Sequence, residues 1–195
     1  MMTNLSYPLI LASNSPRRKE ILANAGFEFK VETISVNEDY PRDLDHHKVA
    51  EYLAEKKGSF YPDIFDQHTI ITADTTVVTD SEILNKPENE EEAHKMLRSL
   101  SGNAHQVITG VCIVSPSQKV SFSDTTKVFF GEIDDREIHH YISKYRPFDK
   151  AGAYGIQEWI GMIGIDRIEG SYYNVMGLPI RKIYRQLVDH FSDNG

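Results

Sequence analysis

Leu9-Ile10-Leu11-Ala12-Ser13-Asn14-Ser15-Pro16-Arg17-Arg18-Lys19 decides the fold class. The apolar run reads as a short first strand within residues 7–12, and the polar residues after it as a loop. Ser15 then stands as N-cap, with Pro16 at the first helical position, where its missing N–H costs nothing. Gly26 predicts the end of that helix near Ala25. Strand, polar loop and helix in this order are the repeating unit of an α/β fold. The same stretch carries chemistry, because Arg17, Arg18 and Lys19 crowd the helix end that already bears positive charge. Each such charge costs about 0.3–1 kcal/mol at an exposed site unless an anion binds there. Backbone N–H groups, the two serine hydroxyls and Arg17/Arg18 would then converge on phosphate oxygens; the alternative is a solvated basic helix start.

The rest of the chain continues the alternation. Residues 27–34 read as a strand. A helix over about 46–58 is expected to bury Val49, Tyr52 and Leu53 on one face and to stop at Gly58. Thr69 to Ala73 reads as a buried strand, and residues 75–79 either continue it or pair with 82–84. Asn89 and Glu92 predict a capping box before Ala93, Met96, Leu97 and Leu100, which recur at helical spacing. Residues 106–114 and 120–130 read as an antiparallel pair. Asp134 with Glu137 opens a helix facing inward with Ile138, Tyr141, Ile142 and Tyr145, ended by Pro147. The glycine-rich stretch 149–177 reads as irregular apart from a strand around 162–168. A last helix follows Pro179, and residues 193–195 are expected to fray.

The chain has 195 residues, 40% hydrophobic and 26% charged, which fits one compact domain, or at most two lobes sharing a sheet. Its single cysteine, Cys112, excludes an internal disulfide and a thiolate zinc site, and its apolar setting predicts a buried, inert thiol. No signal peptide or membrane span is expected, which places the protein in the cytoplasm by default. A net charge of −8 argues against general nucleic-acid binding, though not against a nucleotide held by a few focused cations and a metal.

Asp74 follows the apolar strand Ile70-Ile71-Thr72-Ala73 and is placed to hold a hard cation or activate water; otherwise it only starts a turn. Glu38, in an acidic loop, offers a second oxygen ligand. Lys57 lies on the apolar edge of its helix, able to reach over the core. Lys86 is held extended by Pro87. Gln157, at the end of Asp149-Lys150-Ala151-Gly152-Ala153-Tyr154-Gly155-Ile156-Gln157, has the donor and acceptor that match the N3–H and C4 carbonyl of uracil or thymine. The pairs His46-His47 and His139-His140 point about 100° apart on a helix and suit a shared ion poorly, so they read as surface or core-edge residues.

Five blocks in order carry a family resemblance: residues 11–18; Ala73-Asp74-Thr75; Leu100-Ser101-Gly102 with His105 and Thr109-Gly110-Val111; 149–157; and 170–179. Each resembles a signature block of the Maf family of nucleotide pyrophosphatases, also labelled septum-formation proteins, and together they span residues 9–187. The resemblance implies a two-lobed α/β fold, like that of the inosine triphosphate pyrophosphatases, around a central mixed sheet with flanking helices. It implies a homodimer, and cleavage of nucleoside triphosphates between the α and β phosphates with Mg²⁺ or Mn²⁺. On it, Ser13, Arg17 and Arg18 match the phosphate-binding motif. Glu38, Lys57, Asp74, Lys86 and Gln157 match the remaining polar positions, with the lysines neutralising departing pyrophosphate. Asn14 and Gly58 depart from the family pattern, where a smaller residue and alanine respectively are common. The 149–157 block resembles the subgroup acting on dTTP and UTP rather than the one favouring 7-methyl-GTP. Two further readings of the sequence are a non-catalytic nucleotide-binding regulator of cell division and a phosphatase removing the terminal phosphate.

Overall fold

A computed structural model describes residues 5–61, 66–80 and 82–192. The fold is mixed α/β. Its strands are β1 (Leu9–Leu11), β2 (Phe29–Val31), β3 (Thr69–Val78), β4 (Ile83–Leu84), β5 (Ala104–Val114), β6 (Lys119–Phe130) and β7 (Ile165–Glu169). They form one sheet in the order β2-β1-β3-β5-β6-β7, with β4 paired to β3. β1 is parallel to β2 and β3, whereas β4 on β3 and β7 on β6 are antiparallel. The helices are α1 (Pro16–Asn24), α2 (Val49–Gly58), α3 (Glu90–Leu100), α4 (Asp135–Tyr145), α5 (Trp159–Ile163), α6 (Tyr172–Val175) and α7 (Ile180–His190).

The chain divides into two compact units, the first made of residues up to Asp74, Thr109–Asp124 and the chain from Gly177, the second of Thr75–Ile108 and Thr125–Met176. In the first unit β1 is buried along its whole length, as a strand flanked by two parallel neighbours must be. Beneath α2, the Thr72 hydroxyl donates to Ala54 O at 2.6 Å. Helix α2 ends at Gly58, as expected, and begins at Val49 after a 3₁₀ turn over His46–Lys48. Gly58 is buried, and an added Cβ would come within 2.8 Å of Cys112 Sγ, so the glycine also serves close packing. Tyr52 is exposed, a correction to the expected inward face, while Val49 and Leu53 are buried. Burial raises the pKa of the Cys112 thiol, in keeping with an inert core residue.

In the second unit Ala93, Met96, Leu97 and Leu100 of α3 share a core with Ile138, Tyr141 and Ile142 of α4 and with Val77, Leu84, Val107, Val128 and Phe130. The α4 capping box forms as expected. The α3 box forms only by half: Asn89 Oδ1 accepts from Glu92 N, but Glu92 Oε2 accepts from Glu88 N instead of Asn89. The strand expected around 162–168 begins only at Ile165; Met162 belongs to α5 and is 73% exposed. His105 is 2% exposed, with Nε2 2.8 Å from the Tyr154 hydroxyl, and burial pushes its pKa down to about 4. His46, His47, His139 and His140 are exposed. Residues 193–195, expected to fray, lie outside the described residues.

Candidate active site

The carboxylate cluster follows from a register. Thr72 and Asp74 are two apart on β3 and share a face, and Ala54 and Lys57 are three apart on α2. The Thr72–Ala54 hydrogen bond therefore brings Lys57 over Asp74. Lys57 Nζ lies 2.7 Å from Asp74 Oδ1 and 2.7 Å from Glu38 Oε1. The side chains of Lys57 and Asp74 are only 18% and 15% exposed, against 52% for Glu38. Glu38 is held in place by its neighbours. Asn37 Oδ1 accepts from Asp39 N at 2.8 Å, and Lys56 Nζ donates to Asp39 O at 2.7 Å. Residues 75–78 continue β3 and Val77 and Val78 also pair with β4, so both courses left open for this segment are taken and the strand does not end at Asp74. What ends there is the neighbour, since β1 pairs with β3 only as far as Leu11↔Ile71. Asp74 thus lies beyond the carboxyl end of β1, where ligands of α/β sheets gather.

The loop leaving β1 comes back to the same strand. Arg18 Nε donates to Gly177 O at 2.8 Å, and its Nη1 to Ala73 O at 2.8 Å and to Ser13 Oγ at 3.3 Å. Burial lowers the Arg18 pKa, with the Asp74 charge opposing it, and a guanidinium remains a cation under such a shift. Ser13, buried, also accepts from Ser15 N at 3.3 Å. Ser15 is the N-cap of α1 by backbone geometry, but its side chain makes no capping bond. Arg17 sits half-buried in the first turn of α1. Ser13, Arg18, Glu38, Lys57 and Asp74 are therefore brought together in the first unit.

Lys86 and Gln157 belong to the second unit. Lys86 is exposed, just before the buried Pro87. Its segment is tied to the glycine-rich loop by Gly152 N donating to Asn85 O at 3.1 Å. Gln157 is half-buried, and its Oε1 is buried with no hydrogen-bond partner. In the same unit lies an ion-pair cluster to which the sequence assigned no role. Lys150, 7% exposed, pairs with Asp149 at 2.7 Å and Glu158 at 3.1 Å, and the Tyr141 hydroxyl donates to Glu158 Oε2. The signal was a lysine in an apolar, glycine-rich run, since a buried lysine requires a paired anion.

Among the described residues, no group of three or more His, Cys, Asp or Glu side chains is arranged to hold a metal ion. Two carboxylates converging on one cation remain, and they suit a hard ion such as Mg²⁺ or Mn²⁺ that takes one or two protein oxygens together with substrate phosphates.

The fold is shared with the Staphylococcus aureus Ham1 protein, which superposes with a TM-score of 0.53 at 15% identity, covering 92% of this chain and 98% of that one. The family model for Maf-like proteins matches residues 8–190, and the chain belongs to that family. Proteins named dTTP/UTP pyrophosphatase are similar over nearly the full length. That of Parabacteroides distasonis is 48% identical over 98% of this chain and 100% of its own. That of Bacteroides thetaiotaomicron is 49% identical over 96% and 98%. Among the described residues no helix is long and apolar enough to cross a membrane.

Proposed function

We propose that this chain hydrolyses dTTP and UTP between the α and β phosphates, releasing the nucleoside monophosphate and pyrophosphate, and so clears surplus or modified pyrimidine triphosphates. The observation that carries this reading is the Lys57 ammonium joining Asp74 and Glu38 beside the Ser13–Arg18 loop. The full-length similarity to the dTTP/UTP pyrophosphatases supports the substrate class.

Asp74 has one oxygen, Oδ1, oriented by Lys57, and its Oδ2 takes the proton of the water that attacks phosphorus. Glu38 and Asp74 are the oxygen ligands for Mg²⁺ or Mn²⁺. The ion, when bound, polarises a phosphoryl oxygen and offsets charge on the phosphates. Ser13 and Arg17 bind the phosphate chain, and Arg18 holds the loop that presents them while adding positive charge. Lys57 and Lys86 neutralise pyrophosphate as it leaves. Gln157 reads the edge of the base. We further infer a homodimer, a reading supported by the family resemblance.

Incubating the protein with Mg²⁺ or Mn²⁺ and a panel of triphosphates, with products separated by chromatography, tests the reading. UMP or dTMP plus pyrophosphate is expected. The diphosphate plus orthophosphate would make it a terminal phosphatase, and binding without turnover would make it a regulator. Turnover confined to 7-methyl-GTP would keep the chemistry and overturn the pyrimidine assignment.

A further inference from the structure

Glu38 stands on a stretch of chain with no regular structure. β2 ends at Val31, and residues 32–41 form neither helix nor strand. The ion pair to Lys57 does not explain how Glu38 is placed, because its side chain is 52% exposed and a surface pair of this kind contributes little. Holding such a segment also costs backbone freedom, so its order requires further ties.

Those ties lie within the first unit. At the start of the segment, the Tyr61 hydroxyl accepts from Ile34 N at 2.9 Å and donates to Glu32 O at 3.2 Å. Tyr61 is 2% exposed and shares a core cluster with Ile10, Ile70 and Val114 of β1, β3 and β5, against which Ile34 also packs. Its hydroxyl is therefore a fixed point. Asn14 Nδ2, in the loop after β1, donates to Thr33 Oγ1 at 3.2 Å. Beyond Glu38, Lys56 Nζ donates to Asp39 O at 2.7 Å. Asp39 and Asn37 close on each other across Glu38. Asp39 N donates to Asn37 Oδ1 at 2.8 Å, and Asn37 Nδ2 donates to Asp39 Oδ2 at 2.7 Å, so the hold on Asp39 is passed to Glu38. Lys56 and Lys57 are adjacent on α2 and point about 100° apart. One reaches the backbone of the segment and the other its carboxylate.

We propose that Tyr61 and Lys56 are positioning residues that hold Glu38 beside the Lys57–Asp74 pair, so that a divalent cation meets a carboxylate already in place. This rests on Glu38 and Asp74 being the oxygen ligands. A cation shared by those carboxylates competes with Lys57 for them, whereas the ties from Tyr61 and Lys56 end on backbone atoms and take up no carboxylate oxygen. The test is Mn²⁺ titration of the full chain, with free ion read from its electron paramagnetic resonance signal. Wild type is compared with Glu38→Gln, Tyr61→Phe, Lys56→Met and Lys56→Arg, each with its melting temperature. Glu38→Gln should bind Mn²⁺ weakly. Tyr61→Phe and Lys56→Met should each weaken binding by about 10-fold, as loss of a group that orients a metal ligand does. Lys56→Arg keeps a donor for Asp39 O and should bind as wild type does. The sign of the Lys56→Met effect separates placement from charge. Removing a cation near the site would by itself tighten Mn²⁺ binding, so a weaker site reports the lost tie. Ties that served stability alone would lower the melting temperature and leave Mn²⁺ affinity unchanged. The inference is overturned if folded Tyr61→Phe and Lys56→Met bind Mn²⁺ at least as tightly as wild type while Glu38→Gln binds it weakly. Lys56→Met decides the matter if Tyr61→Phe does not fold. If Glu38→Gln binds as wild type does, or wild type takes up no Mn²⁺, the metal-ligand reading fails, and the inference with it.

Discussion

Lys57 and Asp74, seventeen residues apart in sequence, meet at 2.7 Å because the Thr72 hydroxyl locks α2 onto β3 at Ala54. The pair is mostly shielded from solvent and is shared with Glu38, so Lys57 stands between two negative groups with the Arg18 charge nearby. A fold gains little from such a cluster, since bringing charges out of water offsets much of their attraction. It suits a site that receives a polyanion with its counter-cation.

Asp74→Asn should therefore lower turnover by about 10²–10⁴-fold, the usual contribution of a general base. Asparagine has nearly the same shape and still offers an oxygen to Lys57, so the melting temperature should move little. Steady-state kinetics alongside thermal unfolding separates the two effects. Near-normal turnover in this variant would falsify the role given to Asp74.

His105 sets a pH dependence of stability. Its pKa is pushed down to about 4 by burial, below the ordinary value of 6.5, so the folded chain keeps it neutral where the unfolded chain binds a proton. Between those values the unfolded state holds more protons, and stability rises with pH. The contribution is fully present above about pH 6.5 and lost as pH falls toward 4, amounting to about 3 kcal/mol. His105→Gln should flatten the pH dependence of the denaturation midpoint within that window. A slope unchanged from wild type would assign the acid sensitivity to other groups.

The elements that local chemistry specifies were legible in the sequence. Asp134 and Glu137 cap α4, and Gly26 follows the end of α1, because those preferences depend on a few adjacent residues. What escaped depended on distant partners. Gly58 was legible as the end of α2, but its close packing against Cys112, a residue 54 positions away, was not. The polar residues after Ala73 leave open where β3 stops, and pairing with β4 at Val77 and Val78 decides it. The polar residues of the site were named from the sequence, but their connections were not. Nothing local indicates that Arg18 would hold the carbonyls of Ala73 and Gly177, or that Lys150 would be buried against Glu158.

Arg18→Lys tests whether that residue works by geometry or by charge. The guanidinium donates to two backbone carbonyls and a hydroxyl from a planar fork, which an ammonium on a flexible stem does not reproduce. Leaving those partly buried carbonyls unmatched should cost about 1–3 kcal/mol. The denaturant midpoint should fall, with KM rising as the Ser13 loop loosens. An unchanged midpoint with lowered turnover would show that Arg18 acts on substrate alone.

Lys57→Met should make the protein's stability depend on divalent metal. Removing the ammonium leaves Asp74 and Glu38 facing each other without their shared cation, and Asp74 is only 15% exposed. An uncompensated carboxylate of this kind destabilises by about 1–3 kcal/mol. Mg²⁺ or Mn²⁺ binds the folded state through the same two oxygens and does not find them assembled in the unfolded chain, so it should restore stability in proportion to the logarithm of its concentration. Wild type, whose carboxylates already have Lys57, should show a smaller rise in melting temperature on adding metal, and treatment with a chelator should abolish its turnover while leaving it folded. Equal metal shifts in wild type and Lys57→Met would place the ion away from Glu38 and Asp74. In that case Lys57 would serve the departing pyrophosphate alone, and Asp74 would act only as the base.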